Sequence, residues 1–488
     1  MRKQFRLHPG GRRGMVPVAL TFGLLVFTQF SAAATPDYRA LDREAQGIQQ
    51  EVIDIGAEVY IATGSAAAGE RQDALSTLVR LLADQRQGRA EGDADLSRAR
   101  LELDYGLHED AAALFGRISD HAMGPSARDR FRLALAKTWI ERGDLDRAAD
   151  VLSQMNTAQG SAEQAERTLL QARILMAKER NAEAAALLDN VSSPQDWNAY
   201  ARFNRAAALA RAGRNDAAAS VLETLGRVDS TDREVLALRD KANIALGFMR
   251  LAARQPGPAK EAFNRVRLDS PFSAQALYGL GWADFEQGDV PRALIPWGEL
   301  RQRRVSDPTV QEVWLMVPFA QWRSGAYRDA VQRYREAISQ FDHDLKQFDT
   351  FMASAKSGDL LNALVAVNGG AAAGITLPSG YAAYLLGLTA DDRYVAAFTA
   401  YCHLREQRQR LESWSKRLEA IDARADLAPR IAAVRSRLDH ALAAHEAFLS
   451  DLSQIWLEPN RRRTERLQIR AREELARLLD EIAMGANR

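Results

Sequence analysis

The sequence predicts an all-α solenoid of about seven stacked helix pairs with further helices at both ends. Three observations carry this. A small residue followed four positions later by a large one recurs along the middle of the chain. Its markers Ala111, Ala148, Ala184, Ala218, Ala259, Ala293 and Ala330 stand 37, 36, 34, 41, 34 and 37 residues apart. Glycine precedes the small residue in most copies, at Gly106, Gly143, Gly213, Gly288 and Gly325. Finally, 47% of the residues are hydrophobic, ample for a core, whereas the single Cys402 excludes an intramolecular disulfide framework and a four-cysteine zinc site.

Taken in order, residues 1–34 have three parts: a basic stretch to Arg13, an apolar stretch from Met15 to Phe30, and the small residues Ser31-Ala32-Ala33-Ala34. This is the layout of a secretory signal peptide cleaved after Ala34. An uncleaved inner-membrane anchor is the alternative, although the apolar run is shorter than the roughly 20 residues a spanning helix needs. No cysteine lies near the cut, which closes the lipoprotein route. The formal charge is +1, but the leader holds five bases (Arg2, Lys3, Arg6, Arg12, Arg13) and no acid. Without it 60 bases face 64 acids, a poor balance for general nucleic-acid binding. The expected location is the periplasm.

Residues 35–93 carry a helical stripe of Leu41, Ile48, Val52, Ile55 and Val59, a break at Gly64-Ser65, and a second helix with Leu75, Leu78, Leu81 and Leu82. They form either a hairpin that caps the array or a short coiled coil.

The repeats span 94–341. The clearest copies are Leu135-Ala136…Trp139…Gly143-Asp144-Leu145…Ala148…Leu152 and Leu280-Gly281…Gly288-Asp289-Val290…Ala293…Trp297. They resemble the tetratricopeptide repeat, a helix–turn–helix unit of about 34 residues. Small residues let the two helices of a unit approach, the large residue a turn later fills the gap, and each unit buries its faces only by stacking. Two copies depart from the pattern. The third has Glu179-Arg180-Asn181 in place of the turn glycine, and the fifth has Pro256-Gly257-Pro258, which should distort or shorten its turn. The 41-residue step implies a longer loop near Gly226–Thr231.

After Phe341 the repeat phase is lost, and 342–380 reads as a linker or hinge, richest in Gly, Ala and Ser over 357–380. Residues 381–488 read as a coiled-coil-like helical hairpin or bundle. One stripe runs through Leu404, Leu411, Trp414, Leu418 and Ile421. After Pro429 a second runs from Ile431 through Val434, Leu438, Ala441, His445, Phe448 and Leu452 to Ile455. Glu458-Pro459-Asn460 should end that helix, and a last one carries Leu467, Leu475, Leu478 and Ile482. His445 at a seam position sets register, responds to mild acid, or is simply buried with a local partner.

No catalytic, metal or cofactor constellation stands out. Adjacent Cys402 and His403 diverge by about 100° on a helix, Asp342-His343-Asp344 reads as a solvated helix end, and no glycine loop cradles a phosphate. Arg461-Arg462-Arg463 reads as a solvated helix start with i,i+4 partners such as Glu465.

The resemblance implies that the first helix of each unit lines a concave face. Phe203, Phe248, Tyr278, Trp282, Phe285, Phe319 and Trp322 would then line an aromatic, apolar groove, either open to a partner segment or filled by the C-terminal helices. The expected function is a non-enzymatic scaffold that binds a protein or peptide of the cell envelope, with no nucleic acid, no cofactor, membrane contact only through an uncleaved leader, and self-association through the terminal helices. The competing expectation is a factor or enzyme of cell-wall or polysaccharide metabolism, with Trp282 and Trp322 stacking on sugar rings and Asp284 and Glu286 nearby.

Overall fold

The computed structural model describes residues 38–63, 74–88, 94–118, 125–157, 161–189, 191, 195–303, 308–368, 388, 391–421 and 427–486. The leader, residues 369–380 of the expected linker and the Gly64-Ser65 break lie outside them. The described residues form nineteen helices and no strand. Seven consecutive pairs carry the repeats: α3 (Ala94–Tyr105) with α4 (His108–Arg117), α5 (Pro125–Glu141) with α6 (Leu145–Ser153), α7 (Ala162–Ala177) with α8 (Asn181–Asp189), α9 (Gln195–Arg211) with α10 (Asn215–Gly226), α11 (Arg233–Ala252) with α12 (Pro256–Asn264), α13 (Ser273–Glu286) with α14 (Val290–Arg301), and α15 (Pro308–Arg323) with α16 (Tyr327–Ser357). They are preceded by α1 (Tyr38–Thr63) and α2 (Ala74–Arg86) and followed by α17 (Asp359–Asn368), α18 (Asp392–Ile421) and α19 (Leu427–Ala486).

One turn geometry joins the helices of all seven pairs. The residue ending the first helix has a left-handed φ of 56–95°. The next amide donates to the carbonyl five residues back at 2.7–3.0 Å, as in Asp144 N to Trp139 O and Asp289 N to Asp284 O. This satisfies carbonyls that a helix end otherwise leaves orphaned. Glycine takes the left-handed position in five turns, because it lacks the Cβ that makes this region costly. In the third and fifth copies Glu179 (φ 61°) and Arg254 (φ 56°) take it. The fifth turn is therefore neither distorted nor shortened: Pro256 and Pro258 fall in the first turn of α12, where a missing N–H is harmless. Where Asp follows Gly it caps the second helix, Asp144 accepting from Arg147 N and Asp289 from Arg292 N. The 41-residue step is absorbed by the length of α11, 20 residues, rather than by a long loop.

All seven marker alanines are 0% exposed, and the large residues four positions on are buried except for the half-buried Phe115. Glycines in the first helices bring the partners closer still. A Cβ on Gly281 would lie 2.2 Å from the Trp297 indole nitrogen, and one on Gly279 would lie 2.2 Å from the Phe263 ring.

The chain divides into two compact units. One contains Gln171–Phe341 with Leu467–Arg488. Its last pair is covered by the end of α19, where Leu467, Ala471 and Leu478 join Leu315, Tyr334 and Phe341 in one apolar cluster. The other contains Ala34–Leu170 with Asp342–Arg466. There the predicted stripes pack on one another: Ile48, Val52, Ile55 and Val59 of α1 share a core with Leu404, Leu411, Trp414 and Leu418 of α18 and Ile431, Val434 and Leu438 of α19. Trp414 lies flush on Gly56, whose Cβ would meet the ring at 2.5 Å. The N-terminal hairpin thus shares its core with helices from the far end of the sequence.

Four expectations need correction. Residues 342–368 are helix, not linker, because Phe348, Phe351 and Ala355 continue a buried stripe along α16 until Gly358 takes φ 84°. Asp342-His343-Asp344 accordingly lies mid-helix, with Asp344 buried. Pro459 does not end its helix: α19 runs through it, and the Asn460 amide donates to the Trp456 carbonyl at 2.9 Å beside the bond the proline removes. Arg461 is therefore also mid-helix, paired with Asp349 and Glu465.

Two stability outcomes follow from the turns and the close approaches. Glu179→Gly and Arg254→Gly should each raise resistance to urea by about 0.5 kcal/mol, the relieved left-handed strain outweighing the added freedom of the unfolded chain. Gly213→Ala and Gly288→Ala should each lose about 1 kcal/mol. Gly281→Ala should lose about 1–3 kcal/mol by overpacking against Trp297. Gly298→Ala, with nothing within 4 Å, should gain stability from helix propensity alone.

Candidate functional site

The seven aromatic residues expected to line a groove all belong to the first unit, but they do not form an open line. Phe203, Phe248, Tyr278 and Trp282 are buried, at 8, 0, 0 and 7% exposure, and Phe285, Phe319 and Trp322 are half-buried. The rings face the second helix of their own pair and the neighbouring pair. Phe248 meets Phe263 edge-on at 5.1 Å, Trp282 meets Trp297 at 6.0 Å, and Tyr278 lies 6.4 Å from Phe248. Phe203 packs with Leu222 and Leu246, under the Lys241 ammonium at 4.8 Å. The first four are therefore core, and Phe285, Phe319 and Trp322 keep partly exposed rings, successive rings lying 5.9 and 6.5 Å apart. At its end the C-terminal helix reaches the ring: Trp322 Nε1 donates to Glu481 at 2.8 Å and the exposed Tyr327 hydroxyl at 3.3 Å.

The glycan reading loses two of its four groups. Trp282 offers no free face, and Asp284 is buried and paired with the Lys260 ammonium.

A polar cluster that the sequence reading missed lies in the second unit. Asp42, Gln46 and Gln49 follow one another along α1 at helical spacing, 5, 5 and 2% exposed. Arg142 Nε donates to Asp42 Oδ2 at 2.9 Å, and Arg39 Nη2 donates to the Gly143 carbonyl at 2.7 Å. The Gln46 amide donates to Asp42 at 3.0 Å and to His108 Nε2 at 3.2 Å, while its oxygen accepts from Glu109 N at 3.3 Å. His108 Nδ1 donates to the Gly106 carbonyl at 3.1 Å, which fixes the tautomer and leaves Nε2 as the acceptor. Burial lifts the Asp42 carboxyl above its ordinary range, against the pull of Arg142. Burial, with the Arg142 charge, drives His108 down to about 3. The neutral imidazole is therefore no counter-ion to Asp42; Arg142 is.

Close by, His403 stacks on Tyr105 at 4.2 Å, tilted by 8°, and burial lowers it to about 4. Its neighbour Cys402 is buried and pushed up to about 11, so it stays a thiol. His445 is fully buried, with Nδ1 donating to Ala441 O at 2.8 Å, and burial lowers its pKa. Of its three readings, the local partner is the one observed. A sequence signal for the cluster existed: a polar Asp42–Gln46–Gln49 row at the spacing of an apolar stripe. Its partners, however, come from helices far apart in sequence.

The sign of the pH dependence follows from His108. Unfolded, it titrates near 6.5; folded, near 3. The unfolded chain therefore binds the extra proton between those values. The stability from the neutral ring is complete above about pH 6.5 and is lost progressively as pH falls toward 3. The Tm difference between the protein and His108→Gln should be constant above pH 7 and shrink below pH 6. A difference flat down to pH 4 would refute the buried neutral ring.

Residues 250–305, from the end of α11 into the turn after α14, match the tetratricopeptide repeat family model. No curated protein matches the chain. Among 28 matching chains of solved structures, one from the crystal structure of the APC/C hetero-tetramer Cut9-Hcn1 is 11% identical, with a TM-score of 0.21 over 81% of this chain and 92% of that one. Residues 250–305 are thus similar to the tetratricopeptide repeat family, and the turn geometry and buried alanine found there recur through all seven helix pairs of an all-α repeat array.

Proposed function

We propose that the chain is exported to the periplasm and holds a partner of a cell-envelope assembly. What supports the export is the layout of residues 1–34, bases before an apolar run before small residues. Among the described residues no helix is long and apolar enough to cross a membrane. What supports partner binding is the repeat architecture, and within it the row Phe285, Phe319 and Trp322. Aromatic anchors bury roughly 150–250 Å² each and dominate the energetics of such contacts. The stripes that the sequence offers for self-association are spent within the chain. Pairing of two copies falls to the exposed Ile469, Leu479, Ile482 and Met484 at the end of α19.

Expressed from its own start codon in a Gram-negative host, the protein should be recovered from the periplasm with Thr35 as its first residue by intact-mass analysis. Crosslinking in the envelope should capture a protein partner, and Phe319→Ala with Trp322→Ala should reduce that capture at least fivefold, about 1 kcal/mol. Uncleaved protein in the cytosol sinks the location; absence of any crosslinked envelope protein sinks the scaffold role there.

A further inference from the structure

The end of α19 lies on the last pair of the first unit, and the fit between them is incomplete. Leu467, Ala471 and Leu478 enter the cluster of Leu315, Ala330, Tyr334 and Phe341. Beyond Leu478 the helix buries nothing more: every residue from Leu479 to Met484 is exposed. Glu481 ties this stretch to the pair, accepting from Trp322 Nε1 at 2.8 Å and from the Tyr327 hydroxyl at 3.3 Å. Both bonds are exposed, so water competes for them.

The buried part of the contact has a defect of its own. Tyr334 is fully buried, and among the described residues its hydroxyl has no hydrogen-bond partner. The Trp314 indole nitrogen, bordering the same cluster, is buried without a partner as well. A donor buried unpaired loses its hydration and gains no bond in return. Burial, with the charge of Glu474 on α19, pushes the Tyr334 hydroxyl above its ordinary range. A helix that offered these groups a polar atom would fit the pair better than the segment now on it.

The covered surface also continues the row of partly exposed rings. Trp322 belongs to both, since its ring follows Phe319 at 6.5 Å and its nitrogen is held by Glu481. The chain's own segment and a partner on the row therefore compete for one ring. The chemistry of the place suits an acidic helix. Trp322 and Tyr327 already donate to a carboxylate, and the exposed Arg323 and Arg328 flank them, with Asp329 the exposed acid of that stretch.

We propose that residues 467–486 are a built-in competitor for the partner surface of the last pair. An acidic amphipathic helix of a partner protein displaces them, setting apolar residues on Leu315, Tyr334 and Phe341 and a carboxylate on Trp322 and Tyr327. The partner as displacer rests on the scaffold reading; exchange of the segment itself does not.

The test uses the full chain and, as probe, a fluorescent synthetic peptide of residues 464–486, followed by anisotropy. The peptide should bind saturably. Glu481→Lys in the chain loosens the built-in helix and should tighten peptide binding about fivefold, whereas the same substitution in the peptide should weaken it about fivefold, as suits exposed hydrogen bonds to a charge. Opposite signs from one substitution are what competition requires and what a fixed cap does not give. Hydrogen exchange across 467–486 should quicken at least about fivefold in the Glu481→Lys chain, with α13 and α14 unchanged. Tyr334→Phe deletes the unpaired hydroxyl and should raise Tm. No saturable binding, the same sign in both places, or amides of 467–486 that exchange as slowly as those of α13 overturns the competitor. A lowered Tm in Tyr334→Phe overturns the incomplete fit on which it stands. In the envelope Glu481→Lys should raise crosslinked capture of the partner. Peptide exchange without any such capture overturns the scaffold reading, and with it the partner as displacer.

Discussion

How closely the two helices of a pair approach one another governs the rest of this structure. Seven alanines with no exposed surface set that distance, and glycines at 247, 279 and 281 shorten it where Phe263 and Trp297 lie across the first helix. At such separations a ring four residues beyond the alanine cannot project outward. It fills the space between helices, and the aromatic residues of the neighbouring first helices pack against it. Trp297 shows this: its indole nitrogen donates to the Tyr278 carbonyl at 3.1 Å, and its ring meets Trp282 and Phe285. The same constraint makes the pairs stack, since each pair leaves an apolar face that only a neighbour can cover.

In each of the two units the C-terminal third of the chain supplies part of the apolar core. In the first unit the end of α19 covers α15 and α16 with Leu467, Ala471 and Leu478. In the second, α18 and α19 complete the core of α1 and α2. A further cluster joins Tyr38 to Phe398, Tyr401 and Phe448. The C-terminal helices are thus part of the hydrophobic core, which explains why their stripes are long and nearly unbroken.

The repeats were legible because their signal is local and periodic: a turn and a small-then-large pair, weak in any one copy, recur in near-constant phase seven times. Even the missing glycines at Glu179 and Arg254 left the turn intact, since stacking on both sides over-determines a strained residue. What was not legible depends on partners distant in sequence. Direction along a helix says which residues share a stripe, but not whether the stripe faces a groove or the next helix. Phe248 and Trp282 were therefore assigned to the wrong surface. Residues 342–357 were misread for a related reason. Loss of the repeat phase does not end a helix, and Phe348 and Phe351 still had a core to enter. Pro459 signals a break locally, yet neighbouring side chains satisfy the carbonyls around it.

The polar row on α1 shows what the fold does with charge it cannot expose. Burying Asp42 carries a desolvation penalty that one ion pair rarely offsets; here four groups share it, as Arg142, Gln46 and His108 converge on Asp42 and one another. The partners come from elsewhere in the chain: Arg142 follows the second repeat's first helix, His108 opens the first repeat's second helix, and Arg39 of α1 reaches the Gly143 carbonyl in the turn beside Arg142. The network therefore ties α1 to the turns of the first two repeats, which apolar contact alone would leave free to slide.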